Sequence, residues 1–216
     1  MDGTLVDSEK VYLRGYQHAF GKNGITVDSD FAKIFIGMSG ADELLEIDKV
    51  TGSRAITDKV FKDMLTYAHD EFTAQRVELK VGAKALLAYC QRCGLKIGLA
   101  TSSHQASATS MLEKLDILSY FDFLVFGDEV EVPKPDPMIY RLAIKRSGFA
   151  PKHCLAVEDS FSGVTSAKKA DLFVAQIFDD VDLVPAADYN VGTLRELVPI
   201  IEQLILKNEN DVKVIM

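Results

Sequence analysis

From Val81 onward the chain alternates short apolar runs with amphipathic stretches, and this rhythm limits its fold more than any other feature. Gly82 to Cys93 carries apolar residues at helical spacing, Lys96-Ile97-Gly98-Leu99-Ala100 is a short apolar strand, Gln105 to Leu115 is a helix, and Phe123-Leu124-Val125-Phe126 is a strand. The pattern continues with a helix over Met138 to Gly148, a strand over Cys154 to Val157, a helix over Gly163 to Ala170 and a strand over Leu172 to Ala175. Strands that are apolar throughout belong in sheets buried on both faces. The expected class is therefore α/β, a doubly wound parallel sheet with helices on either side.

The N-terminal third reads differently. Ser8 through Asn23 places Val11, Tyr12, Tyr16, Ala19 and Phe20 on one helical face and stops at Asn23-Gly24. Phe31 to Phe35 and Ala41 to Val50 read as shorter helices separated by the turn Gly37-Met38-Ser39-Gly40, and Thr57 to Phe72 repeats the helical spacing with Val60, Met64, Tyr67 and Ala68. With no strand pattern between them, these segments predict an all-helical unit over 10–76, inserted into a discontinuous core of 1–9 and 77–216. A last helix is expected over Thr193 to Lys207, after which Val212-Lys213-Val214-Ile215-Met216 reads as a small strand or an unstructured tail.

Charge and composition exclude several classes. A formal charge of −8 argues against nucleic acid or an anionic membrane as partner, since either rewards a basic surface. No apolar run has the length of a membrane span and the N-terminus lacks a signal pattern, so a cytoplasmic protein, monomeric or weakly dimeric, is the expectation. Cys90, Cys93 and Cys154 are too few for a disulfide framework. Cys90-Gln91-Arg92-Cys93 matches Cys-x-x-Cys in form, but it closes a helix just before Gly94 instead of opening one, where the positive helix end would activate a thiol. A zinc site would need two further ligands, for which His153-Cys154 is the available pair.

Ligands of open parallel sheets bind at the carboxyl ends of the strands, which makes the residues after each strand the place to look for chemistry. Thr101-Ser102-Ser103 follows the first strand; such hydroxyls are ordinary helix caps, and they also bind phosphate oxygens together with the N–H groups of a helix N-terminus. Lys134 stands between Pro133 and Pro135, whose fixed φ stiffens the backbone from which the ammonium is aimed. Glu158-Asp159 ends another strand and, as adjacent carboxylates, suits either a helix cap or Mg²⁺.

Together with the opening Met1-Asp2-Gly3-Thr4-Leu5-Val6-Asp7-Ser8, these motifs occur in the order used by haloacid dehalogenase-like hydrolases, which the chain resembles over essentially its whole length. The helical insertion resembles the small cap of the β-phosphoglucomutase and phosphoglycolate phosphatase branch. The resemblance implies a Rossmann-like core and a Mg²⁺-dependent phosphatase acting on a small phosphorylated metabolite such as a sugar phosphate. Asp2 would then act as general acid and base, and its main-chain carbonyl would join Asp159 on Mg²⁺, with Glu158 as a neighbouring acidic group. Thr101 and Ser102 would bind the phosphoryl group, and Lys134 would stabilise its charge.

In the family motif a nucleophilic Asp stands two residues before the Asp that matches Asp2, which puts it ahead of Met1. Three arrangements are compatible with this: a shortened sequence, a naturally short chain without phosphatase activity, or the tail Val212 to Met216 filling the position of the strand that would carry the nucleophile. As written, the chain is expected to bind more than it turns over. Similar mutases carry a His where this chain has Tyr12, and an Arg where Gly40 follows Gly37-Met38-Ser39, so a phosphomutase is the second expectation. A non-catalytic fold-mate that binds a phosphorylated ligand or a protein is the third. Arg14 and Lys33 are cap residues that either meet substrate or lie on a solvated face.

Overall fold

The computed structural model describes residues 1–28, 31–35, 40–74, 76–178, 183–206 and 212–216. The chain divides into two compact units, one of Met1–Val6 with Leu79–Met216 and one of Asp7–Glu78.

The first unit is a six-stranded sheet in the order β2-β1-β6-β3-β4-β5, formed by β1 (Lys96–Ala100), β2 (Phe123–Val125), β3 (Cys154–Glu158), β4 (Phe173–Ile177), β5 (Tyr189–Val191) and β6 (Val214–Ile215). Every pairing is parallel. The apolar runs of the sequence are these strands, and β3 is buried along its whole length, as a strand covered on both faces must be. On one face Cys154 and Ala156 pack with Ile139, Tyr140 and Ala143 of α6 (Met138–Ser147) and with Val164 and Ala167 of α7 (Phe161–Lys169). Around Ile97, Leu99, Val157 and Ile215, residues Leu86, Leu87 and Cys90 of α4 (Ala83–Arg92) line a pocket with Leu194. α5 (Gln105–Lys114) follows β1, and α8 (Leu197–Leu206) precedes the tail.

The tail is a strand, and its place is the centre of the sheet. Ile97 and Leu155 are both in register with Ile215, one on each side. Lys96 N donates to Lys213 O at 2.9 Å and Lys213 N to His153 O at 2.8 Å, while Met216 N donates to Leu155 O at 2.9 Å and accepts at its own carbonyl from Val157 N at 2.8 Å. Residues 213–216 thereby satisfy backbone groups of β1 and β3 that would otherwise be buried without partners. Of the two readings given for the tail, a small strand or an unstructured end, the structure shows the strand.

The second unit holds α1 (Ser8–Lys22), a 3₁₀ turn at Phe31–Phe35, α2 (Gly40–Thr51) and α3 (Arg54–Thr73). Tyr16, Ala19, Phe20, Phe35, Ile47, Val60 and Met64 form its core, with the Tyr16 and Phe35 rings stacked at 4.0 Å. The turn residues Gly37, Met38 and Ser39 lie outside the described residues.

Some element boundaries differ from the sequence reading. The last helix starts only at Leu197, because Leu194–Glu196 is a separate 3₁₀ turn, and β5 was not anticipated at all. Among the described residues no helix is long and apolar enough to cross a membrane. Ile215 is 6 % exposed and Val81 61 %. Ile215→Ala is expected to lower unfolding stability by about 2–5 kcal/mol, whereas Val81→Ala changes it by about 0.5 kcal/mol or less. Chemical denaturation of the two variants checks this.

Candidate active site

The opening loop folds around one carbonyl. Met1 O accepts from Leu5 N at 2.8 Å, Val6 N at 3.1 Å and Thr4 N at 3.3 Å, and Gly3 N donates to Val6 O at 3.0 Å. A loop this tight needs a left-handed residue at its bend, which Gly3 supplies with φ of 68°. Gly3 also lies directly on Asp159: a Cβ there would stand 2.0 Å from Asp159 Oδ2. The next residue locks the contact, since Thr4 Oγ1 donates to Asp159 Oδ1 at 2.7 Å.

At the carboxyl end of β1, Thr101 is buried, its N–H held by Val125 O at 3.0 Å and its Oγ1 accepting from Ser103 N at 3.2 Å. Ser103 Oγ turns toward the opening loop and donates to Asp2 Oδ2 at 2.7 Å. The Ser102 side chain is exposed. Within the Thr-Ser-Ser cluster it is thus Ser103, which the sequence reading did not single out, that reaches Asp2.

Lys134 joins the ends of two strands. Its ammonium donates to Ala100 O of β1 at 3.1 Å and to Glu158 Oε1 of β3 at 2.5 Å. The same Oε1 accepts from the Tyr140 hydroxyl at 2.5 Å. The other oxygen, Oε2, packs against α7, where a Cβ on Gly163 would stand 2.0 Å from it. Burial alone raises the Glu158 carboxyl, but its contacts, chiefly the Lys134 ammonium, hold it below the ordinary glutamate range. Asp159 shifts the other way: burial first, then the Glu158 charge, push its carboxyl up, against the charged amino terminus, the Thr4 hydrogen bond and Lys134.

Asp2, Thr101, Lys134, Glu158 and Asp159 thus come together at the carboxyl end of the sheet, as expected for a parallel α/β site. Among the described residues no group of three His, Cys, Asp or Glu side chains forms a metal cage. Of the side chains in the expected metal set, that of Asp2 is turned to Ser103 and that of Glu158 to Lys134 and Tyr140, while Asp159 meets Thr4. The cysteines play no part in the site. All three are free, and burial pushes the Cys90 thiol up to about 12 and the Cys154 thiol up to about 11, away from thiolate reactivity.

Comparison with known proteins identifies the family. The family model for haloacid dehalogenase-like hydrolases matches residues 1–177. The chain belongs to that family. It is 31 % identical over 175 residues to the phosphorylated carbohydrates phosphatase of Thermotoga maritima, covering 80 % of this chain and 79 % of that one. It is 29 % identical over 174 residues to the phosphoglycolate phosphatase of Yersinia pseudotuberculosis, covering 79 % of this chain and 75 % of that one. A solved structure of a candidate β-phosphoglucomutase from Thermotoga maritima superposes with a TM-score of 0.78 at 26 % identity, covering 94 % of this chain and 96 % of that one.

Two outcomes follow from the packing of the carboxylates. Gly163→Ala should favour helix α7 by about 1 kcal/mol on propensity alone, yet it is expected to destabilise the protein by about 1–3 kcal/mol, because the new methyl must displace the buried Glu158 carboxylate. Denaturation curves decide the sign. Asp159, whose folded carboxyl takes up its proton more readily than in the unfolded chain, loses stability as pH rises through and above the ordinary aspartate range. Asp159→Asn is expected to raise the melting temperature of the metal-free protein at neutral pH, as read by calorimetry.

Proposed function

We propose that this chain forms the catalytic body of a Mg²⁺-dependent phosphoric monoester hydrolase that acts on a small phosphorylated metabolite such as a sugar phosphate. The observation that carries this reading is the convergence of Asp2, Ser103, Lys134 and the Glu158-Asp159 pair at one end of the sheet. The relatives named for phosphorylated carbohydrates and for phosphoglycolate support the substrate class.

The donor set fits a hard divalent cation. Two adjacent carboxylates lie together, Glu158 is paired with the Lys134 ammonium, and burial and the Glu158 charge disfavour the charged form of Asp159 despite the nearby amino terminus. Asp159 and the main-chain carbonyl of Asp2 would hold Mg²⁺, which when bound neutralises charge on a phosphoryl oxygen. Glu158 is then the counter-ion of Lys134.

The chain's own residues divide the remaining work. The Lys134 ammonium, fixed between Ala100 O and Glu158, is aimed at charge developing on the transferring phosphoryl group. Thr101 and Ser102, at the entry to α5, bind phosphoryl oxygens. Asp2 protonates the leaving alcohol and later deprotonates water, with Ser103 orienting its carboxylate. The family motif assigns the phosphoryl acceptor to an Asp two residues before the one that Asp2 matches. The cap favours a phosphatase over a mutase, because Tyr12 stands where similar mutases carry His and its ring packs edge-on against Phe72 at 5.8 Å.

The test is Mg²⁺-dependent hydrolysis of a generic aryl phosphate by a chain extended with an Asp ahead of Met1. In that background Asp159→Asn is expected to raise the Mg²⁺ concentration for half-maximal rate by about tenfold or more. An unchanged metal response removes Asp159 from the metal site.

A further inference from the structure

Tyr140 belongs to no motif, yet it touches the ammonium and the carboxylate of the Lys134–Glu158 pair at once. Its side chain is 1 % exposed, within the core formed by α6 and α7 against the sheet. The hydroxyl donates to Glu158 Oε1, the oxygen that also receives Lys134, both at 2.5 Å. The ring lies under the Lys134 ammonium, 5.0 Å from centroid to Nζ, within the range of a cation–π contact. Burial and the adjacent Glu158 charge hold the phenol well above its ordinary range, so the hydroxyl keeps its proton and acts only as a donor to the carboxylate.

We infer that Tyr140 is a positioning residue for Lys134: its hydroxyl fixes the carboxylate that anchors the ammonium, and its ring holds the ammonium from below. A carboxylate held by Lys134 alone is free to turn about its last torsion and carry the ammonium with it. The second donor on the same oxygen opposes that rotation, and the carboxylate is packed closely against Gly163. The ammonium is then presented from one place. Packing does not require the hydroxyl, since Phe would fill nearly the same volume, whereas the hydroxyl finds its partner in Glu158.

The inference deepens the proposed role of Lys134 at the phosphoryl group and rests on it. Tyr140→Phe removes the hydroxyl and leaves the ring. The experiment is site-resolved acylation of the full chain with a small amine-reactive reagent, read by peptide mass spectrometry, with the exposed Lys84 and the half-buried Lys168 as internal references. Lys134 in the parent protein is 11 % exposed and should react slowly. The expected result is a rise of about fivefold or more in the Lys134 rate relative to the two references in Tyr140→Phe, with the melting transition still cooperative. An unchanged ratio overturns the inference. A uniform rise at every lysine also overturns it, because Tyr140 would then serve packing alone. Tyr140→Leu, which removes both contacts, should raise the ratio further, and a ratio below that of Tyr140→Phe counts against the ring's share. The underlying reading fails separately: if Lys134→Ala in the Asp-extended chain hydrolyses aryl phosphate at the parent rate, Lys134 has no phosphoryl role, whatever the labelling shows.

Discussion

A parallel sheet tolerates no empty lane, and the backbone pairing of residues 213–216 is what keeps β1 and β3 in one sheet. Without it each strand would bury a row of unmatched N–H and C=O groups, a cost comparable to the entire stability of a domain of this size. The pairing also sets the scale of the site. β1 and β3 sit two inter-strand spacings apart, roughly 10 Å, and the groups they deliver, Thr101 on one side and Glu158-Asp159 on the other, are separated accordingly. Lys134 spans this gap by taking Ala100 O with one proton and Glu158 with another. A shift of either strand would break one of those bonds, so the placement of the ammonium depends on the strand between them.

The second organising constraint is electrostatic. Neighbouring carboxylates at a strand end repel one another, and the structure settles the conflict unequally. Glu158 takes the ammonium, the phenol and a closely fitted helix, while Asp159 keeps one hydroxyl and the loop that carries Asp2. The two shifts, one below and one above the ordinary range, are the record of that division.

Much of this was legible from residue patterns, for reasons that differ from element to element. Lys96–Ala100 and Cys154–Glu158 announced themselves because a strand buried on both faces must be apolar throughout. Tyr189–Val191 did not, since three residues with an exposed Asn in the middle carry no such signal. The tail displayed its β-forming residues, but which strands it separates is a property of three-dimensional order that local pattern does not encode. The site was legible where residue type is restrictive, as with Lys134 between prolines and the acidic pair. It was illegible where several residues of one type compete, as in the choice of Ser103 to reach Asp2, and where a functional atom sits on an apolar-looking position. Tyr140 reads as core at helical spacing beside Ile139 and Ala143, and its partner Glu158 is brought to it only by the fold.

The way the chain leaves and re-enters the sheet unit bears on how the protein can change. Asp7 N donates to Glu78 O at 2.9 Å, Lys80 N to Leu5 O at 2.9 Å, and Val6 bridges Leu79. In polymer terms, the 72 residues from Asp7 to Glu78 form a loop whose two ends are clasped together. The entropy of closing such a loop grows only with the logarithm of its length, about 0.6 kcal/mol for each doubling. The helical unit can therefore lengthen, shrink or be replaced at little thermodynamic consequence for the sheet.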